Sequence, residues 1–86
     1  MTQPIDVRVD LQAKAAYLCY AKGRVTQTID VWKNGWVAAD LDDDERVLGI
    51  EVLGFDALTL DRARAFATER GLAFPADLAG NVVSAF

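Results

Sequence analysis

The chain has no histidine, a single cysteine and two prolines, and its nine Lys and Arg residues stand apart from one another. Without histidine, the commonest general base at neutral pH is missing. One cysteine excludes an intrachain disulfide, and the place of Cys19 within "AAYLCY" reads as a buried, inert thiol. Phosphate recognition calls for clustered cations, so direct nucleic-acid binding is disfavoured. No apolar run approaches the ~18 residues that a membrane span needs. The opening "MTQPIDVRVD" lacks the basic and apolar regions of a signal peptide, so a cytosolic protein without a membrane partner is expected. Neither a phosphate-binding loop nor a nucleophile motif occurs, and no cofactor or catalytic residue is assigned.

What is present is one small, apolar, mildly acidic domain. Its 86 residues are 52% hydrophobic and carry a formal charge of −4. A chain this short buries only about 60–65% of its unfolded surface. So much apolar surface has few interior places to go, which raises the expectation of a homodimer or a protein partner.

The pattern along the chain is β followed by α. "IDVRVD" (5–10) alternates apolar and charged residues as a half-buried strand does, and "AAYLCY" (15–20) is apolar on both sides. "RVTQTIDVW" (24–32), "WVAADL" (36–41) and "RVLGIEVL" (46–53) follow, separated by turn signals. The fold class is therefore α+β: a five-stranded antiparallel β-meander (5–56) with one C-terminal helix (59–71) packed on it. Gly71 stands where a left-handed helix cap belongs, while Asp61 early and Arg70 late suit the helix dipole. Leu60, Ala63, Phe66 and Ala67 form its apolar stripe. Residues 72–86 make a tail whose apolar end, "NVVSAF", is expected to be docked.

Strand parity predicts which side chains share a face. An even loop at the acidic tip puts Val37, Ala39, Leu41, Leu48, Ile50 and Val52 on the core face, with Ala39 opposite Leu48. A three-residue loop at Lys33-Asn34-Gly35 adds Val25, Ile29 and Val31 to it. The other face then holds Trp32 and Trp36 as cross-strand neighbours, with Tyr17, Thr28, Asp30, Asp40 and Glu51. Tyr17, Trp32, Trp36 and Glu51 are the candidate interface residues, aromatics being the main source of binding energy at protein interfaces.

"DLDDDERVLGIEVL" (40–53) packs six of thirteen acidic residues into one segment. Asp40, Asp42, Asp44 and Glu51 fall at the first, third, fifth and twelfth places of an EF-hand-like loop, but Glu45 stands where that loop needs glycine. With Asp40 opposite Val47, Glu51 lies roughly 13 Å along the strand at ~3.3 Å per residue, too far for a shared ion. The segment reads as a solvated hairpin tip, and no metal site is assigned.

Asp10, Tyr17 and Leu18, followed by Asp40, Asp42, Val47, Gly49, Ile50, Glu51 and Leu53, resemble the two motifs of DUF2283, a family of small bacterial proteins of unknown function. The resemblance covers roughly residues 5–56 and implies an antiparallel sheet but no activity. Lys14 replaces the second acid of the first motif. Glu45 replaces the usual turn glycine, which favours a loop avoiding positive φ there. Three functions follow for testing: a non-catalytic interaction or self-associating module, a divalent-metal protein or carboxylate enzyme using the acidic hairpin, and an antitoxin-like partner protein.

Overall fold

A computed structural model describes residues 1–75. The expected docked tail thus lies largely outside the described residues. The fold is α+β: strands β1 (Asp6–Asp10), β2 (Ala15–Cys19), β3 (Gln27–Trp32), β4 (Val37–Leu41) and β5 (Val47–Leu53) precede one helix, α1 (Ala57–Glu69). All five strands join one antiparallel sheet in the order β1-β2-β5-β4-β3.

That order corrects the expected meander. β2 ends at Cys19, and residues 20–26 run across the end of the sheet rather than turning straight into a neighbouring strand. Along the way the N–H of Tyr20 donates to the Leu48 carbonyl (2.8 Å), and that of Thr26 to the Leu41 carbonyl (2.9 Å). β2 thereby lies beside β5, a Greek-key arrangement. The physical reason is burial. The three most apolar strands, β2, β5 and β4, occupy the protected positions, while the more polar strands β1 and β3 take the edges.

Two bulges decide which side chains enter the core. Leu41 pairs with Val47 and Asp40 with Gly49, so Leu48 is an extra residue on β5. Val47 takes the expected place of Leu48 in the core, and Leu48 is buried separately beneath Gly23. Ala39 accordingly faces Ile50, not Leu48. On β3, Asp30 pairs with Ala38 and Trp32 with Val37, which leaves Val31 as the extra residue. Val37, Ala39, Leu41, Ile50 and Val52 line the core as parity predicts, whereas Val25 remains exposed and outside β3.

The helix lies over β3, β4 and β5. Leu60, Ala63, Phe66 and Ala67 are all buried, and the two alanines let the helix approach the sheet closely. Its start lies earlier than expected because Asp56 is the N-cap: its carboxylate accepts from the Thr59 N–H (3.2 Å) and hydroxyl (2.7 Å). Asp61 is consequently outside the first turn and pairs with Arg64 instead. At the other end Gly71 adopts φ 70°. Leu72 N–H bonds the Ala67 carbonyl and Gly71 N–H the Thr68 carbonyl, a Schellman cap. Beyond it the N–H of Ala73 donates to the Thr2 carbonyl, and the Tyr20 hydroxyl donates to the Ala73 carbonyl.

Candidate functional site

The sheet face opposite the helix carries the polar constellation of the molecule. Tyr17 stands opposite Glu51 in the β2–β5 register, and Gly49 stands opposite both Cys19 and Asp40. The Tyr17 ring leans over Gly49, crosses β5, and donates from Oη to Asp40 Oδ2 at 2.8 Å. From β3, Thr28 Oγ1 donates to Asp40 Oδ1 at 2.7 Å. Three strands, β2, β4 and β3, are thus tied by one hydrogen-bonded chain that passes over β5, and both Asp40 oxygens are engaged. Strand parity places Tyr17, Asp40 and Thr28 on this face, but their contact depends on β2 lying beside β5. The signal was Gly49: a glycine inside an otherwise apolar strand often marks close approach by another group.

Burial raises the Tyr17 pKa, and the hydrogen bond and negative charge of Asp40 raise it further. Tyr17 is therefore a proton donor under ordinary conditions and not a base. Tyr20 is pushed up to about 12 by burial alone. A raised native pKa contributes stability that is complete below the unfolded value near ~10 and lost as pH rises through the native values. The chain has only these two tyrosines, so tyrosinate absorbance reports on them alone. Neither is expected to ionise at about pH 10.5 while the fold persists, whereas both do so in urea. Ionisation near pH ~10 with unchanged circular dichroism would contradict the assignment.

The acidic tip is a self-satisfied loop. Asp42 Oδ1 accepts from the Asp44 and Arg46 N–H groups, each at 2.9 Å, and Oδ2 from Arg46 Nε at 3.1 Å. Those bonds and the Arg46 charge hold the Asp42 carboxyl below its ordinary range. Glu45 adopts φ 61°, correcting the expectation that its side chain avoids positive φ. The closed turn imposes that conformation. The separation expected between Asp40 and Glu51 is also corrected. Glu51 is two residues beyond Gly49, the partner of Asp40, or roughly 7 Å along the strand at ~3.3 Å per residue. Even so, among the described residues no three His, Cys, Asp or Glu side chains cluster closely enough to hold a metal ion.

The interface candidates separate in space. Tyr17 is committed to Asp40, and Glu51 is exposed. Trp32 is moved by the β3 bulge from the expected open face to the core side, where it packs on the main cluster beneath Arg62. Trp36 lies in the four-residue turn 33–36, which is one residue longer than expected, and is 46% exposed against Gly54. The two indoles meet through the Lys33 ammonium, 5.1 and 5.5 Å from their ring centres, rather than as a cross-strand pair. Cys19 is half-buried on the polar face, less enclosed than expected, with Sγ 3.7 Å from the Ala21 carbonyl oxygen.

The surface of the described residues includes two well-formed concavities. One of about 210 Å³ includes Arg8, Asp10, Tyr17 and Glu51. The other, about 480 Å³, lies between Tyr20, the hairpin base at Arg46 and the helix end at Arg70. Arg46 is bound to Asp42 there, and Arg70 is stacked on Phe66.

Together these features define an α+β Greek-key sheet with a helix on one face and a hydrogen-bonded polar network on the other. No family model, curated protein or solved structure matches the chain. No helix among the described residues is long and apolar enough to cross a membrane.

Proposed function

We propose that this protein is a non-catalytic, self-associating module whose contact region is the β1 side of the sheet. The carrying observation is uneven cover. The helix lies over β3, β4 and β5, while Ile5 and Val7, on the β1 side, remain 56% and 38% exposed. Val7 and Val9 face the same side as Leu18 and Ala16, so this apolar row continues the core outward. Burying such a row stabilises association by roughly 25 cal/mol per Å² of apolar area, before the cost of lost motion.

The same geometry supports a non-catalytic reading. Asp40 is engaged through both oxygens, Asp42 closes its loop, and Tyr17 is held protonated. These are the roles of a scaffold. The residues shared with the DUF2283 motifs, Tyr17, Asp40, Gly49 and Glu51, meet on this face, which supports reading them as one structural unit.

Light scattering over a concentration series tests the proposal. The expected molar mass rises towards twice the 9.4 kDa of the single chain. A mass that stays at 9.4 kDa at every concentration would overturn self-association.

A further inference from the structure

We infer that β1 pairs edge to edge with β1 of a second copy, antiparallel, with Val7 facing Val7 across the two-fold axis. This inference rests on the self-association reading and specifies its geometry. Among the described residues β1 is an edge strand hydrogen-bonded only to β2, so one row of its backbone donors and acceptors has no neighbouring strand. Such edges are commonly blocked by proline, bulges or unmatched charge. β1 has no proline within it and an unbroken register with β2. Ile5 lies just ahead of the strand and outside the ladder, its N–H donating at 2.8 Å to the carbonyl of Cys19, the register partner of Asp6. The opposite edge, β3, is interrupted by the bulge at Val31.

The occupant follows from charge. Asp6 and Arg8 share the face that carries Tyr17, and Arg8 Nε lies 2.9 Å from Asp6 Oδ2. With Val7 on the axis, Asp6 of each copy faces Arg8 of the other, and the four charges alternate around a closed ring. On the helix side Val7 faces Val7, and Val9 of each copy is brought towards Ile5 of the other, where the strand begins. Directly opposed side chains in such a pair have Cβ atoms about 4.5–5.5 Å apart, close enough for both contacts.

Neighbouring registers fit less well. Centring on Arg8 would oppose Arg8 to itself and Asp6 to Asp10. Centring on Val9 would match Arg8 with Asp10, but it draws Leu11 and Gln12 from the turn after β1 and leaves Ile5 uncovered. A second copy of this chain therefore complements the edge best when Val7 is central.

Charge exchange tests the pairing. Arg8→Asp or Asp6→Arg alone is expected to weaken the dimer on the order of a hundredfold, because each opposes like charges. The double variant Asp6→Arg/Arg8→Asp restores complementarity and is expected to recover the dimer. An equimolar mixture of the two single variants is expected to form a heterodimer. Both side chains are exposed, so circular dichroism should be unchanged throughout. A wild-type dimer insensitive to the single reversals would overturn the β1 pairing but preserve self-association. A dimer lost in the single variants and not regained in the double variant would overturn this register. A monomeric wild type would overturn the inference together with the functional reading.

Discussion

Gly49→Ala is expected to lower unfolding stability by about 2–4 kcal/mol, measured by urea denaturation. Strand propensity alone predicts the opposite sign, since replacing an interior strand glycine with alanine favours folding by roughly 0.5–1 kcal/mol. The tertiary contact reverses it. A Cβ built at residue 49 overlaps the Tyr17 hydroxyl and Cζ and lies 2.8 Å from Cε2. The ring then has to lift from β5, and the hydrogen bond from Tyr17 to Asp40 is lost. If this explanation holds, Tyr17→Ala removes the clash and the glycine substitution becomes nearly neutral in that background. A coupling of several kcal/mol between the two sites is therefore expected, against the few tenths seen for independent sites. Equal losses in both backgrounds would refute the ring-over-glycine account.

Ile50→Ala is expected to cost about 3–4 kcal/mol. Ile50 is fully buried and faces Leu18 on one side and Ala39 on the other, at the centre of the sheet. Truncation loses the transfer energy of the missing carbons and leaves a cavity that hydrogen-bonded strands cannot close. At about 0.05–0.15 kcal/mol per residue, a domain of this size has a total stability of the same order, so this one change removes much of it. Glu51→Ala is the matched control. Its side chain is exposed, and a change within about ±0.5 kcal/mol is expected. A loss below ~1 kcal/mol for Ile50→Ala would be inconsistent with this core.

The three consecutive residues Gly49, Ile50 and Glu51 thus have separate duties: a seat for a ring, the core, and the open surface. Their alternation is strand periodicity and was legible in the sequence. What occupies the space above Gly49 was not, because Tyr17 lies on a strand that local turn signals had assigned to a different neighbour. Asp40 illustrates the same point. Its face was legible, yet its partners on β2 and β3 depend on the Greek-key order. The bulges at Val31 and Leu48 had no period-two signature, and they moved Trp32 to the core side and exchanged Leu48 for Val47. The N-cap Asp56, bonded to Thr59, lies three residues ahead of the expected helix start at residue 59, because the apolar stripe begins only at Leu60.

The sequence by itself determined the five strand regions, the single helix, the glycine cap and most of the core face. Each rests on interactions between residues near in the chain or on the fixed periods of 2.0 and 3.6 residues. Only the tertiary structure decided that β2 joins β5, that Tyr17 crosses Gly49 to Asp40, and that, among the described residues, Ile5 and Val7 stay exposed while Val9 packs on the core. Those outcomes depend on which surfaces compete for burial across the sheet, and that competition is settled between residues far apart in sequence.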